Sequence, residues 1–148
     1  MTIQPASLND QSMKTASELV TAFDATPRDI ENWISRLDNL TTKFQETTQG
    51  KSRLYSKANA LELAFIAGVV RGGATPREGA IYAATLLRKL KYGGFKQWLV
   101  FPAGNLKTAI SSDNPTLDSM VAEFGSTTLT FVATGEIVRR VNALFEEG

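Results

Sequence analysis

Neither cysteine nor histidine occurs in this chain of 148 residues. Disulfides are therefore excluded, the usual zinc ligands are missing, and no thiol or imidazole is present for nucleophilic or general-base work. A Gly-rich phosphate loop of ordinary spacing is lacking too, and no pair of acids stands out from solvated surface. These absences predict a protein that is not an enzyme and that holds no metal or cofactor. Long apolar runs are also lacking, and the opening stretch from Met1 to Asp10 is polar, without the basic and apolar blocks of a secretory leader. A cytoplasmic location with no membrane partner is expected. What remains is a 43% hydrophobic composition, enough for one core of ordinary size or for a small domain with an appendage.

The most informative feature present is a segment that nearly repeats. Ala25-Thr26-Pro27-Arg28-Asp29 returns as Ala74-Thr75-Pro76-Arg77-Glu78, and each copy opens an apolar helical stretch. In both, Thr can accept a hydrogen bond from the first turn, Pro fills a position that needs no donor, and the acid can reach back to the Thr N–H. A short apolar helix and a tight turn precede each copy, giving helix, turn, helix twice over, a common way to present a helix to DNA. The net charge is only +1, yet its sign is uneven. From Lys51 to Lys96 the bases Lys51, Arg53, Lys57, Arg71, Arg77, Arg88, Lys89, Lys91 and Lys96 face only Glu62 and Glu78, whereas beyond Gln97 the acids outnumber the bases. A basic middle suits a polyanion, and an acidic end suits some other task.

Thr15, with Glu18 three places on, starts a helix over about 16–23 whose Ala16, Leu19, Val20 and Phe23 share a face. After a turn at Asp24 and Ala25, a second helix over about 27–37 directs Ile30, Trp33, Ile34 and Leu37 inward. Its other face carries Arg28, Asp29, Glu31, Asn32, Ser35 and Arg36 and is the candidate reader, while Trp33 belongs to the core stripe. Residues 40–55 hold Thr41, Thr42, Thr47, Thr48 and a Gln49-Gly50 turn, the pattern of a β-hairpin whose returning arm carries Lys51, Arg53 and Tyr55. Ser56 then caps a long, largely buried helix to about Arg71, which Gly72-Gly73 closes. The second capped helix runs from Pro76 to about Leu90 with a basic end.

The residues Ser52-Arg53-Leu54-Tyr55-Ser56 and the stretch from Ala60 to Leu87 resemble the MerR family of transcription regulators. In that family a reader helix leads to a wing ending in an Arg-x-Tyr-Ser type signature, then a helix, a Gly-containing turn and another helix. The resemblance covers roughly residues 14–90 and implies a winged helix-turn-helix domain that binds double-stranded DNA. It implies that the helix beginning at Thr26 and Pro27 enters the major groove with Arg28 on phosphates or base edges, and that Arg53 and Tyr55 meet the backbone at the wing. Lys51 and Lys57 add phosphate contacts beside them. Where the family places Arg followed by aromatics, this chain has Glu31, Asn32 and Trp33, so base readout falls to Asn32 on adenine, Glu31 on cytosine, and Arg36. Nucleoid association goes with that activity.

Beyond Leu90 the family's long dimerising helix is replaced by Tyr92-Gly93-Gly94. Trp98 to Phe101, bounded by Pro102, reads as a strand, Asn114-Pro115 starts a helix to Gly125, Thr127 to Ala133 reads as a second strand, and Thr134 caps a last helix. The expected fold is mainly α within an α+β class: a tail over 1–12, a winged helix-turn-helix domain over 13–91, and a small α+β unit over 95–148. That unit is expected to form a homodimer or to hold a protein partner such as RNA polymerase. The function expected is a sequence-specific transcription regulator, of phage or other mobile-element type. The alternatives are an excisionase-like factor that bends DNA, and a phage assembly module in which the helix-turn-helix is only scaffold.

Overall fold

The computed structural model describes residues 12–47 and 50–146. In chain order these form α1 (Ala16–Leu19), α2 (Pro27–Arg36), α3 (Lys57–Arg71), α4 (Pro76–Tyr92), β1 (Trp98–Pro102), β2 (Ile110–Ser112), α5 (Leu117–Phe124), β3 (Leu129–Val132) and α6 (Thr134–Glu146). The class is mixed α+β.

Helix starts follow the sequence closely. The Oγ1 atoms of Thr26 and Thr75 accept from the N–H groups of Asp29 and Glu78 at 3.1 Å, and each acid accepts in return from the Thr N–H at 3.0 Å. Reciprocal caps of the same kind open α1 with Thr15 and Glu18, α3 with Ser56 and Asn59, and α5 with Thr116 and Ser119. Backbone donation from Thr15 and Thr75 holds the carboxyls of Glu18 and Glu78 below their ordinary range.

Two expectations are corrected. The first helix stops at Leu19 rather than Phe23, because Thr21 draws its bonds from three residues back: its N–H and its hydroxyl both donate to Glu18 O, at 3.2 and 2.6 Å. That tightening replaces the α-helical ladder, although of the predicted face Leu19 and Phe23 are buried and Ala16 and Val20 partly so. The β-hairpin over 40–55 is also absent among the described residues; Thr48 of its outgoing arm and Gln49 of its expected turn lie outside them.

α3 is the central element. Ala60, Leu61 and the run Leu63 to Ala67 are buried, and they gather Leu19, Ile30 and Trp33 from one side, Ala80, Ala83, Leu86 and Leu87 from α4, and Val141 and Phe145 from α6. The last helix of the acidic tail therefore closes the same core as the first helices. Gly68 and Gly72 permit this approach: a Cβ at Gly68 would lie 3.0 Å from Ile137 Cδ1, and one at Gly72 would lie 2.5 Å from Thr130 Cγ2.

The sheet has the order β2-β1-β3, antiparallel throughout, with Val100 opposite both Ile110 and Phe131 and Leu99 opposite Ser111 and Val132. By alternation, Leu99, Phe101 and Val132 face a second cluster with Val69 of α3 and Leu106. β2 escapes a sequence-based search because it is three residues long and two of them are serine. Thr134, expected as a cap, donates its hydroxyl to Lys96 O at 2.8 Å, and Gly135 N–H donates to Gln97 O at 3.0 Å, so the start of α6 is docked on the entry to β1.

Candidate nucleic-acid interface

The segment between α2 and α3 is organised by polar groups of α3. Glu62 is fully buried, and its carboxylate accepts four hydrogen bonds from one stretch: Thr41 N–H at 2.7 Å, Thr41 Oγ1 at 3.1 Å, Thr42 N–H at 2.9 Å and Thr42 Oγ1 at 2.5 Å. One turn earlier, Asn59 Nδ2 donates to Thr42 Oγ1 at 2.9 Å and to Lys43 O at 3.1 Å. A buried carboxylate is tolerated only when its lone pairs are met, and here both oxygens are. The N–H groups of Thr41 and Thr42 are thereby committed to α3, which is why no strand ladder joins the two arms.

The returning arm is held differently. Tyr55 exchanges both backbone hydrogen bonds with Lys14, at 2.9 and 2.8 Å, and Leu54 N–H donates to Gln45 Oε1 at 3.2 Å across the arms. The Tyr55 ring is fully buried, meets Phe44 edge-on at 6.4 Å, and its hydroxyl donates to Glu31 Oε1 at 2.8 Å. Burial first, and then the Glu31 carboxylate, push the phenol far above its ordinary range, so it remains a neutral donor. This bond ties the arm to α2.

Arg53 is the contrasting group. Its Nε and Nη1 are buried and have no hydrogen-bond partner among the described residues. It shares a cleft with Lys51, Tyr55 and Glu31, bounded by Thr15, Ser17 and Pro27 at the starts of α1 and α2.

The expected site residues separate accordingly. Arg28, Glu31 and Arg36 are exposed along α2 with Asn32 half-buried, and Lys51 is exposed on the arm, so α2 and the arm come together on one side of the molecule. Thr26 is exposed, and its oxygen is engaged in the cap. Tyr55 and Lys57 are not on that surface: Tyr55 points inward to Glu31, and Lys57, at 3% exposure, begins α3 where Ser56 turns the chain into the core. The Glu31 oxygen assigned to cytosine is the acceptor of the Tyr55 hydroxyl. Sequence reasoning missed Glu62 and Asn59, although a lone acid in the apolar run from Ala60 to Val70 was a usable sign of a buried acceptor.

Many surface cations are already paired. Arg71 meets Asp24 at 2.8 Å, Arg77 meets Asp38 at 3.3 Å, and Arg139 and Arg140 meet Glu136 at 2.9 and 3.3 Å. Arg28, Arg36, Lys51 and Arg53 have no acidic partner among the described residues. None of the helices described is long and apolar enough to cross a membrane. No family model and no curated protein matches the chain.

Proposed function

We propose that this protein binds double-stranded DNA as a sequence-specific, non-catalytic regulator of transcription, using a winged helix-turn-helix of MerR type in which a looped arm replaces the hairpin wing. α2 enters the major groove, Arg28 and Arg36 approach phosphates or base edges, and Asn32 is placed to pair with adenine. Lys51 and Arg53 on the arm take the backbone beside it.

The observation that carries this proposal is Arg53 at the cleft beside α2, whose Nε and Nη1 are buried with no hydrogen-bond partner among the described residues. A buried donor without a partner costs about 1–3 kcal/mol, which a phosphate oxygen would offset on binding. That Arg28, Arg36 and Lys51 make no ion pair among the described residues supports it further.

Fluorescence anisotropy of the purified protein with its own upstream duplex against a scrambled duplex, across a salt series, tests the proposal. Preference for the native duplex with a steep salt slope is expected. Equal affinity for both duplexes, accompanied by bending, would favour the architectural role instead. Absence of binding at low salt would overturn DNA recognition altogether.

A further inference from the structure

Of the five exposed large hydrophobic side chains among the described residues, Leu54 stands alone on the arm and the other four fall on two helices, two on each. Ile81 and Tyr92 are 56% and 77% exposed on α4, about three turns apart and hence on one helix face. Leu117 and Val121 are 68% and 41% exposed, one turn apart on α5. Single exposed apolar residues are ordinary, but two helical pairs are not explained by packing within this chain.

Their surroundings carry opposite charge. Arg88 and Lys91 stand beside the α4 pair, Lys91 Nζ lying 5.4 Å from the Tyr92 ring centre, and no acid occurs between Gly79 and Trp98. Asp118 stands beside the α5 pair, and no base occurs between Thr108 and Val138. None of these three charges has an ion-pair partner among the described residues. DNA would suit the bases of α4 but has no use for Ile81 and would repel α5. A protein surface of apolar and acidic character suits α4, and this chain itself carries one.

We propose that copies of this chain associate by seating the basic, apolar face of α4 on the acidic, apolar face of α5 of another copy. The contact joins unlike faces, so a two-fold pair makes it twice and a longer chain makes it once per copy. α5 spans only about 12 Å, which places each contact among small, concentration-dependent interfaces. The association is independent of DNA binding and is measured on free protein.

Sedimentation velocity of the full chain over a concentration series tests it, with three variants, all at exposed positions: Arg88→Glu with Lys91→Glu, Asp118→Lys, and Leu117→Ser. Wild type should gain mass with concentration, and each variant alone should associate at least ~tenfold more weakly. An equimolar mixture of the two charge-reversed variants should recover association, because the reversed α4 of one then faces the reversed α5 of the other. A wild type that stays at monomer mass, or a mixture that fails to recover, would overturn the proposal. So would reversal of α4 that abolishes DNA binding while leaving the mass distribution unchanged.

Discussion

The two arms of the connection between α2 and α3 are similar in composition and opposite in state. On the outgoing arm, the N–H and hydroxyl groups of Thr41 and Thr42 and the carbonyl of Lys43 are met by Glu62 and Asn59. On the returning arm, Tyr55 is held by Lys14 and Glu31, while two nitrogens of Arg53 are buried and unmet among the described residues. Complete satisfaction marks architecture, since a half-met buried polar group is costly. An incomplete set beside an exposed helix marks a place where something else can bind. The same contrast appears between the surface cations, those near α6 and the α1–α2 turn being paired and those of α2 and the arm having no ion pair among the described residues.

The largest expected effect comes from breaking the outgoing arm. Glu62→Ala orphans the N–H groups of Thr41 and Thr42 and should lower stability on the order of 3 kcal/mol, read as a shift in urea midpoint with the slope unchanged. Glu62→Gln, which keeps one acceptor oxygen, should lose less. A Glu62→Ala protein as stable as wild type would show that the arm is not anchored from α3.

Breaking the returning arm should act on binding instead of stability. Arg53→Met removes two unmet buried nitrogens, so the melting temperature should hold or rise, while affinity for duplex DNA falls at least ~tenfold and the salt slope drops by about one. If Arg53→Met melts several degrees lower, the guanidinium has a structural partner and the contrast between the arms fails.

Smaller effects sharpen the comparison. Tyr55→Phe loses the bond to Glu31 and should cost about 1 kcal/mol in a denaturant series, with the core ring retained. Thr75→Ala removes one cap and should also cost about 1 kcal/mol, without touching DNA affinity. The smallest effect concerns pH. The folded carboxyl of Glu78 lies below its ordinary range because Thr75 donates to it, so its contribution is present above the unfolded carboxylate range and is lost as pH falls through the lowered folded value. Glu78→Gln should therefore flatten the acid side of the stability curve, and an unchanged acid limb would remove the cap from that role.

Much of the architecture was legible because local chemistry and tertiary packing agree. The Thr-Pro starts of α2 and α4, the buried stripe of α3 and the strand from Trp98 each carry a short-range signal that the fold keeps. Where a side chain competes for backbone groups, the local signal failed: Thr21 shortens α1, and Glu62 captures the N–H groups that a hairpin would have used. Pairing partners far apart in sequence were illegible for the same reason. Nothing near Tyr55 announces Glu31, and nothing near Gly68 announces Ile137. At the candidate site, composition pointed to the exposed bases of α2 and the arm, but only three-dimensional packing separates Arg53 and Lys51 from Tyr55 and Lys57.

The most direct measurement is anisotropy of wild type and Arg53→Glu on the upstream duplex at a single low salt concentration, with the melting temperature of both proteins recorded alongside. The expected result is tight binding by wild type and none by the variant at a temperature where both proteins are folded. Binding of normal strength by Arg53→Glu would contradict the assignment of the arm and of the surface it shares with α2.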